Sequence, residues 1–495
     1  SLWWQIEDGG MQMEQPQVQK MRAAWAEKVR KAASQKINCR VFAAFNTNVD
    51  VVVHVNNENL NRIYQKDPGI LSLGLEEDFS RQADLIESPE EFISILLGAM
   101  KYGKSLYMLT TSEKLLSWLS QSFTEAREIL GGQAGIIANQ ISNLGAEAVV
   151  YSRLLSPQQA ALFKDEVLAP AVRDNQLVVE PVKQVANPND ECKVNWIFEY
   201  AKDVTVTLGD TTVTTPRANR VILATRPKNA IMSFADEMMD HLPELGKHID
   251  LAFMAGYHYI SENNPDGRSY REFLDKALKE LELLRQGNPK VAVHYEYVPM
   301  KERNLEAETL AEIGNAIDSF GINENEIKLV LDDFDFQEER KELEKSERAY
   351  TLYRAALPIF RKMNLKRLHV HNLGYYVVIV SKDYHISPEI CREACLYASS
   401  VNALKAKYGG FAEGERLPEA GQIELSEIGF KQLLGIKEEM DLPDEFLETG
   451  IYEGDDHYLL VVPAHVIQNP VSTVGMGDTI SSTSFALEYS LGEKS

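Results

Sequence analysis

The sequence is poor in cysteine, short of positive charge relative to negative, and free of long apolar runs. Among its 495 residues are only four cysteines, Cys39, Cys192, Cys391 and Cys395, with no CxxC spacing and far below the density of a disulfide scaffold. A reducing cytoplasm is the compartment this usage implies. The four-residue spacing in "CREAC" reads as helix packing in preference to a metal or redox pair. Lysine and arginine total 51 against 74 aspartates and glutamates, a net charge of −23. Such a surface repels phosphate backbones and anionic membranes, so neither nucleic acid nor a membrane is an expected partner. A small anionic substrate stays open, because a few local cations outweigh a diffuse surface charge. No apolar run approaches the roughly 20 residues that cross a bilayer, and no secretory pattern opens the chain. Internal repeats, low-complexity tracts and long Ser/Gly linkers are also missing. The opening "SLWWQIEDGGMQ" lacks an initiating Met, and residues 1–16 are set aside from fold reasoning as a tag or disordered terminus.

What is present is an ordinary globular composition, 44% apolar and 25% charged, in a chain long enough for one large domain and a smaller one. Residues 17–36 carry the spacing of an amphipathic helix, and "CRVFAAFNTNVD" is a buried strand breaking into a polar turn. Further β-type runs, "AEAVVYSRL", "IDLAFMAGYHYI", "KVAVHYEYV", "IKLVLDDF" and "LKRLHVHNL", alternate with helical stretches such as "SYREFLDKALKELELLRQG". That alternation predicts an α/β fold with a largely parallel sheet covered by helices. One region departs from it. Residues 183–226 are rich in β-branched, aromatic and turn-forming residues, with "LGDT" as a hairpin signal, and read as antiparallel strands of a lid outside the main sheet. The expected division is 17–50, 111–182 and 227–495 for the large α/β domain, and 51–110 with 183–226 for the smaller, mostly β lid.

The most informative stretch is "NPVSTVGMGDTISSTSF", residues 469–485. Glycines at 475 and 477 permit left-handed backbone angles, so the N–H groups of Gly475, Met476 and Gly477 can converge on one anion at a helix start. Asp478 follows directly. A carboxylate beside an anion hole can take a proton from a hydroxyl while the amides stabilise a transferring phosphoryl group; the simpler alternative is an acidic residue in a helix's first turn. Near the N-terminus "NTNVD" sets Asn46, Asn48 and Asp50 at alternate positions, which share one face if strand geometry continues, a pattern suited to polyol hydroxyls or to an Asx turn. "GGQAGIIANQ" places Gly131, Gly132 and Gln133 at the start of an apolar helix.

These motifs, with "PRANR" and "HVHNLGYY", resemble the ADP-dependent glucokinase and phosphofructokinase family of ribokinase-like sugar kinases. The resemblance extends over residues 46–482. It implies a three-layer αβα large domain with a lid, and transfer of a phosphoryl group from ADP to a sugar in the presence of Mg²⁺. Asp478 then matches the catalytic base, with residues 475–477 as the anion hole. Asn48, Asp50, Gly132 and Gln133 match sugar-binding positions. Family HxE and NxxE motifs, associated with the metal, correspond to His294/Glu296 and Asn323/Glu326, so Glu296 and Glu326 are the metal candidates. Read alone, each is more simply a surface acid than a ligand, and His294 an orienting or core histidine, since Mg²⁺ prefers oxygen. His369 and His371 share a strand face without further zinc ligands in view. Asp332, Asp333 and Asp335 read as surface acids. By family analogy a monomer is expected.

The acceptor sugar turns on whether cations are available to hold a second phosphate. Lys193 and Arg220 match the family positions that contact the phosphate of fructose 6-phosphate, whereas Arg217 is assigned to the nucleotide phosphates or the lid. At residues 106–107, where glucokinases of the family resemble "GKAAE", this chain has Leu106 and Tyr107, with Glu87 and Glu90 as the nearest substitutes for the glucose-holding acid. The reading is therefore transfer of the β-phosphoryl group of ADP to the 1-hydroxyl of fructose 6-phosphate, yielding fructose 1,6-bisphosphate and AMP. A glucokinase or bifunctional enzyme, an inactive sugar- or nucleotide-binding regulator, and an ATP-dependent ribokinase relative are the alternatives.

Overall fold

A computed structural model describes residues 15–79, 85–471 and 475–493. Most of the N-terminal stretch set aside above, and residues 472–474 of the GMGD segment, lie outside the described residues. Residues 15 and 16 already belong to a helix, Gln15–Ala33, whose Trp25 is fully buried and donates from Nε1 to the Leu447 carbonyl at 2.8 Å. This helix therefore packs on the core.

The frame is an eleven-stranded sheet. Its central strands, Leu168–Arg173, Glu147–Tyr151, Arg40–Phe45, Leu251–Ala255, Ala292–Glu296, Ser319–Asn323 and Arg367–Asn372, lie side by side in that order and pair in parallel. Antiparallel strands close both edges. Parallel strands are buried on both faces, which is why they read as near-continuous apolar runs such as Val41–Phe45 and Leu251–Ala255. Ligands of such sheets collect beyond the carboxyl ends of the strands. Here those ends deliver Asn46, Glu296, Asn323 and His371 to one edge.

A second, five-stranded sheet has the order Leu106–Leu109, Asn219–Ala224, Val194–Tyr200, Asn48–His54, Arg127–Gly131. Alternation sends Val49, Val51, Trp196, Phe198 and Leu223 to one face, where they form a separate core with Phe92, Leu96, Leu115 and Phe123 from two helices. The opposite face carries Asn48, Asp50, Asn195, Arg220 and Tyr107. Two expectations are corrected. "IKLVLDDF", read above as a β-type run, is the helix Glu326–Asp333, with Ile327, Val330 and Leu331 buried at helical spacing; the strands within 183–226 pair antiparallel as expected and meet Asn48–His54 and Leu106–Leu109 in parallel. The small unit also takes in residues 113–131, assigned above to the large domain: the strand Arg127–Gly131 pairs with Asn48–His54, and Leu115 and Leu119 fill the second core. The "LGDT" hairpin forms as expected, joining Thr205–Leu208 to Thr211–Thr214.

Among the described residues no helix is long and apolar enough to cross a membrane. Cys391 and Cys395 are both buried and unoxidised in the helix Pro388–Tyr408, in agreement with a packing role.

Candidate active site

Asp478 sits in the first turn of the C-terminal helix Met476–Gly492, which begins after Gly475. Gly475 adopts φ 67°, a left-handed angle that turns the chain into the helix at little cost. Gly477 does not share that conformation. It lies inside the helix, and its lack of a side chain answers a different need: a methyl group there would come within 2.9 Å of His371 Cε1. The N–H groups expected to form an anion hole at residues 475–477 thus lie at the start of a helix rather than in a run of left-handed residues. Asn402 reinforces it by donating from Nδ2 to the Met476 carbonyl at 3.1 Å.

Gln133, at the start of the helix Gln133–Asn143, donates from Nε2 to Asp478 Oδ1 at 3.2 Å, while its own Oε1 is buried without a partner among the described residues. Gly132 precedes it at φ 78°, and a methyl group there would meet the Asn46 carbonyl oxygen at 2.5 Å. Burial and the charge of Glu296 push Asp478 up to about 6, against the opposing pull of Gln133, His371 and Lys405. A carboxyl poised there is ionised near neutrality yet basic enough to accept a proton.

Behind it, His294 and His371 place ring nitrogens 2.8 and 2.7 Å from the two oxygens of Glu296. Burial alone would raise Glu296, but the two histidine hydrogen bonds overcome it and hold the carboxyl at about 2. Glu296, a metal candidate in the sequence, therefore spends both oxygens on imidazoles. Glu326 and Asn323 form a reciprocal capping pair: Asn323 N–H donates to Glu326 Oε2 at 3.0 Å and Glu326 N–H to Asn323 Oδ1 at 2.8 Å. Burial, with repulsion from Glu296 and Asp478, raises Glu326 to about 7. Among the described residues no three acidic, histidine or cysteine side chains are set to ligate a metal directly. The carboxylates nonetheless repel one another across a common space, the environment a hydrated, oxygen-seeking cation relieves. The donor set fits Mg²⁺.

On the open face of the small sheet, where the sequence placed the sugar, Asn48 and Asn195 donate to Asp50 Oδ1 at 2.5 and 3.1 Å. Asn46 is not on that strand; the chain leaves the main sheet at Asn46 and Thr47. It rejoins the group because Lys193 donates to its Oδ1 at 2.8 Å. Lys193 Nζ stands 5.1 Å over the Tyr259 ring, and Arg226 lies 5.7 Å from the same ring, with its Nη2 donating to the Tyr107 hydroxyl at 3.0 Å. Burial and the neighbouring Arg226 lower Lys193 to about 8. Among the described residues neither cation forms an ion pair. Arg220 is exposed on the same face and acts on Asp50 through charge alone. Arg217 instead donates to the Gly103 carbonyl at 2.6 Å and so braces the small sheet. Glu87 is exposed and Glu90 opens the helix on the covered side, leaving Tyr107 in place of a carboxylate on the open face.

Beside the GMGD turn, a cavity of about 290 Å³ is lined by Asn372, Ala403, Val466, Ile467, Met476 and Gly477, among others. It opens at the anion end of the C-terminal helix and is mostly apolar. Asn195, Arg226, Asn402 and Lys405 escaped the sequence reading. Only Lys405 left a signal, a lysine in register with the apolar stripe Cys391, Ala394, Ala398 and Val401.

The conserved-region model of the ADP-specific phosphofructokinases and glucokinases matches residues 39–487. The chain belongs to this family. Among its relatives is the ADP-specific phosphofructokinase of Methanosarcina acetivorans, 31% identical over 90% of this chain and 92% of the relative. That of Thermococcus kodakarensis is 30% identical over 92% and 97%. The ADP-dependent glucose/glucosamine kinase of Pyrococcus abyssi is 26% identical over 94% and 99%. Solved family structures agree. A reconstructed last common ancestor of ADP-dependent phosphofructokinases from Methanosarcinales superposes with a TM-score of 0.82 at 28% identity, over 97% of this chain and 99% of that one. An ADP-dependent kinase complexed with fructose 6-phosphate and ADPβS gives 0.77 at 29%, over 98% and 100%. Within the family, the αβα architecture and second sheet of this chain are the expected arrangement.

Proposed function

We propose that the protein is an ADP-dependent 6-phosphofructokinase, transferring the β-phosphoryl group of ADP to the 1-hydroxyl of fructose 6-phosphate. The observation that carries the choice of acceptor is the pair Lys193 and Arg226. Two cations held on aromatic rings, with no carboxylate paired to either among the described residues, are matched by a sugar phosphate dianion and poorly by glucose. Arg220, on the same face, adds charge at the rim. The solved relative whose ligands are fructose 6-phosphate and ADPβS supports the same pairing of substrates.

In this reading Asn48, Asp50 and Gln133 orient the sugar hydroxyls, and Gly132 gives its backbone room to approach. Asp478 takes the proton from the 1-hydroxyl as that oxygen bonds to the β-phosphorus. The bond from the β-phosphorus to the bridging oxygen breaks, and AMP departs with that oxygen. The first N–H groups of the C-terminal helix, at Met476 and Gly477, receive the charge on the transferring group. Glu326, and Glu296 through water, would hold Mg²⁺, which supplies charge neutralisation on the phosphates when bound. The small sheet covers the sugar and excludes water that would otherwise compete for the phosphoryl group.

A coupled assay crossing ADP and ATP with fructose 6-phosphate and glucose tests this directly. Turnover with ADP and fructose 6-phosphate is expected to dominate. Dominant glucose turnover would reassign the acceptor, dominant ATP turnover the donor, and no turnover in any arm would leave a binding protein.

A further inference from the structure

Lys193, Arg367 and Lys405 are the lysines and arginines buried among the described residues, at 8%, 0% and 5% exposure. A buried cation is costly unless something compensates its charge. Arg367 has its compensation in Glu488, 2.9 Å away and equally buried. Lys193 faces the proposed sugar phosphate. Lys405 has no ion pair among the described residues: its one hydrogen bond runs to a neutral group, Thr479 Oγ1, at 2.9 Å, and its ammonium stands 5.4 Å from the centre of the Phe411 ring. Thr479 is the residue after Asp478, in the first turn of the C-terminal helix. Lys405 reaches it from the helix Pro388–Tyr408, one turn beyond Asn402, which holds the Met476 carbonyl of the same turn. Two side chains three residues apart on one helix thus grip the turn that carries the base and the anion hole.

We propose that Lys405 is a positioning residue for phosphoryl transfer: anchored on Thr479, its ammonium supplies a fixed positive charge behind the first turn of the C-terminal helix. The proposal rests on the reading of Asp478 as the base. That charge acts on Asp478 and on the group in front of the helix N-terminus, adding to the helix dipole where negative charge gathers during transfer. The mutual attraction of Lys405 and Asp478 is in keeping with this, while burial keeps the ammonium at about 8. A lysine present only to fill space would serve equally as an apolar residue of the same length, and the two roles separate by experiment.

Lys405→Met removes the charge and keeps the stem. It is expected to lower kcat on the order of tenfold or more with dissociation constants for ADP and fructose 6-phosphate little changed, and Lys405→Arg is expected to retain more of kcat than the Met variant. Wild-type kcat in Lys405→Met, or equal losses in the Met and Arg variants that follow a drop in Tm, would overturn the proposal. If the Met variant does not fold, Thr479→Val releases the anchor and leaves the charge. A lowered kcat at unchanged affinities supports the role, and wild-type kcat overturns it. Asp478→Asn measured alongside separates the two ideas. Sustained turnover there refutes the base assignment, whereas a dead Asp478→Asn with an unaffected Lys405→Met refutes only the role of Lys405.

Discussion

Gln133 and Asp478, 345 residues apart in sequence, meet through a 3.2 Å hydrogen bond from Gln133 Nε2 to Asp478 Oδ1. The bond ties the start of the helix Gln133–Asn143 to the first turn of the C-terminal helix. It occupies one lone pair of the carboxylate and orients the other oxygen. Replacing Asp478 with Asn keeps the shape and removes the base. Steady-state kinetics should show kcat reduced by about three orders of magnitude or more, in the range a general base and its electrostatics supply, while calorimetry shows ADP still bound. Near-normal turnover would end the assignment.

The pH profile should carry an acid limb from Asp478. Its folded value, about 6, lies above the ordinary 3.8 because burial and Glu296 disfavour the anion. A base must be unprotonated, so kcat/KM falls as pH drops through that value, and a bound cation can only move the limb lower. Glu326 rises further, to about 7, through burial and its acidic neighbours. If Glu326→Gln abolishes the limb, the titrating group is Glu326 and the prediction fails; a limb that persists in that variant, in place or moved lower by the loss of a neighbouring charge, supports Asp478.

Arg226→Ala removes a cation that touches two tyrosine rings and pairs with no acid among the described residues. A lost charge-assisted hydrogen bond to phosphate is worth about 1.5–3 kcal/mol, which is about 10- to 150-fold in KM for fructose 6-phosphate. The Kd for ADP should be unaffected. Equal damage to both substrates would place Arg226 outside the sugar phosphate site.

Gly321→Ala tests the acidic cluster. A methyl group there would come 2.0 Å from Glu296 Oε2 and 2.6 Å from Ser481 Oγ, so Glu296 has to leave its place between the two histidines. The Mg²⁺ concentration for half-maximal rate should rise by about tenfold or more, the usual cost of disturbing groups around a metal. An unchanged Mg²⁺ requirement would separate Glu296 from the metal.

Local sequence determined the elements and the chemical vocabulary of this protein. The alternation of apolar strands and amphipathic helices is a short-range pattern, so the parallel sheet could be read directly. The "LGDT" hairpin followed from turn chemistry, and Asp478 from a carboxylate set behind two glycines at a helix start. Tertiary structure decided the rest, because charge and burial depend on neighbours distant in the chain. The strand Arg127–Gly131 joined the small sheet because its partner is Asn48–His54, a pairing that no local pattern encodes. Glu296 became the holder of two histidines only when strands from residues 292, 319 and 367 lay side by side. Arg226, one polar residue beyond a strand, and Lys405, one lysine in an apolar helix, are singled out only by the groups they are folded against: two tyrosine rings for Arg226, and Thr479 beside Asp478 for Lys405.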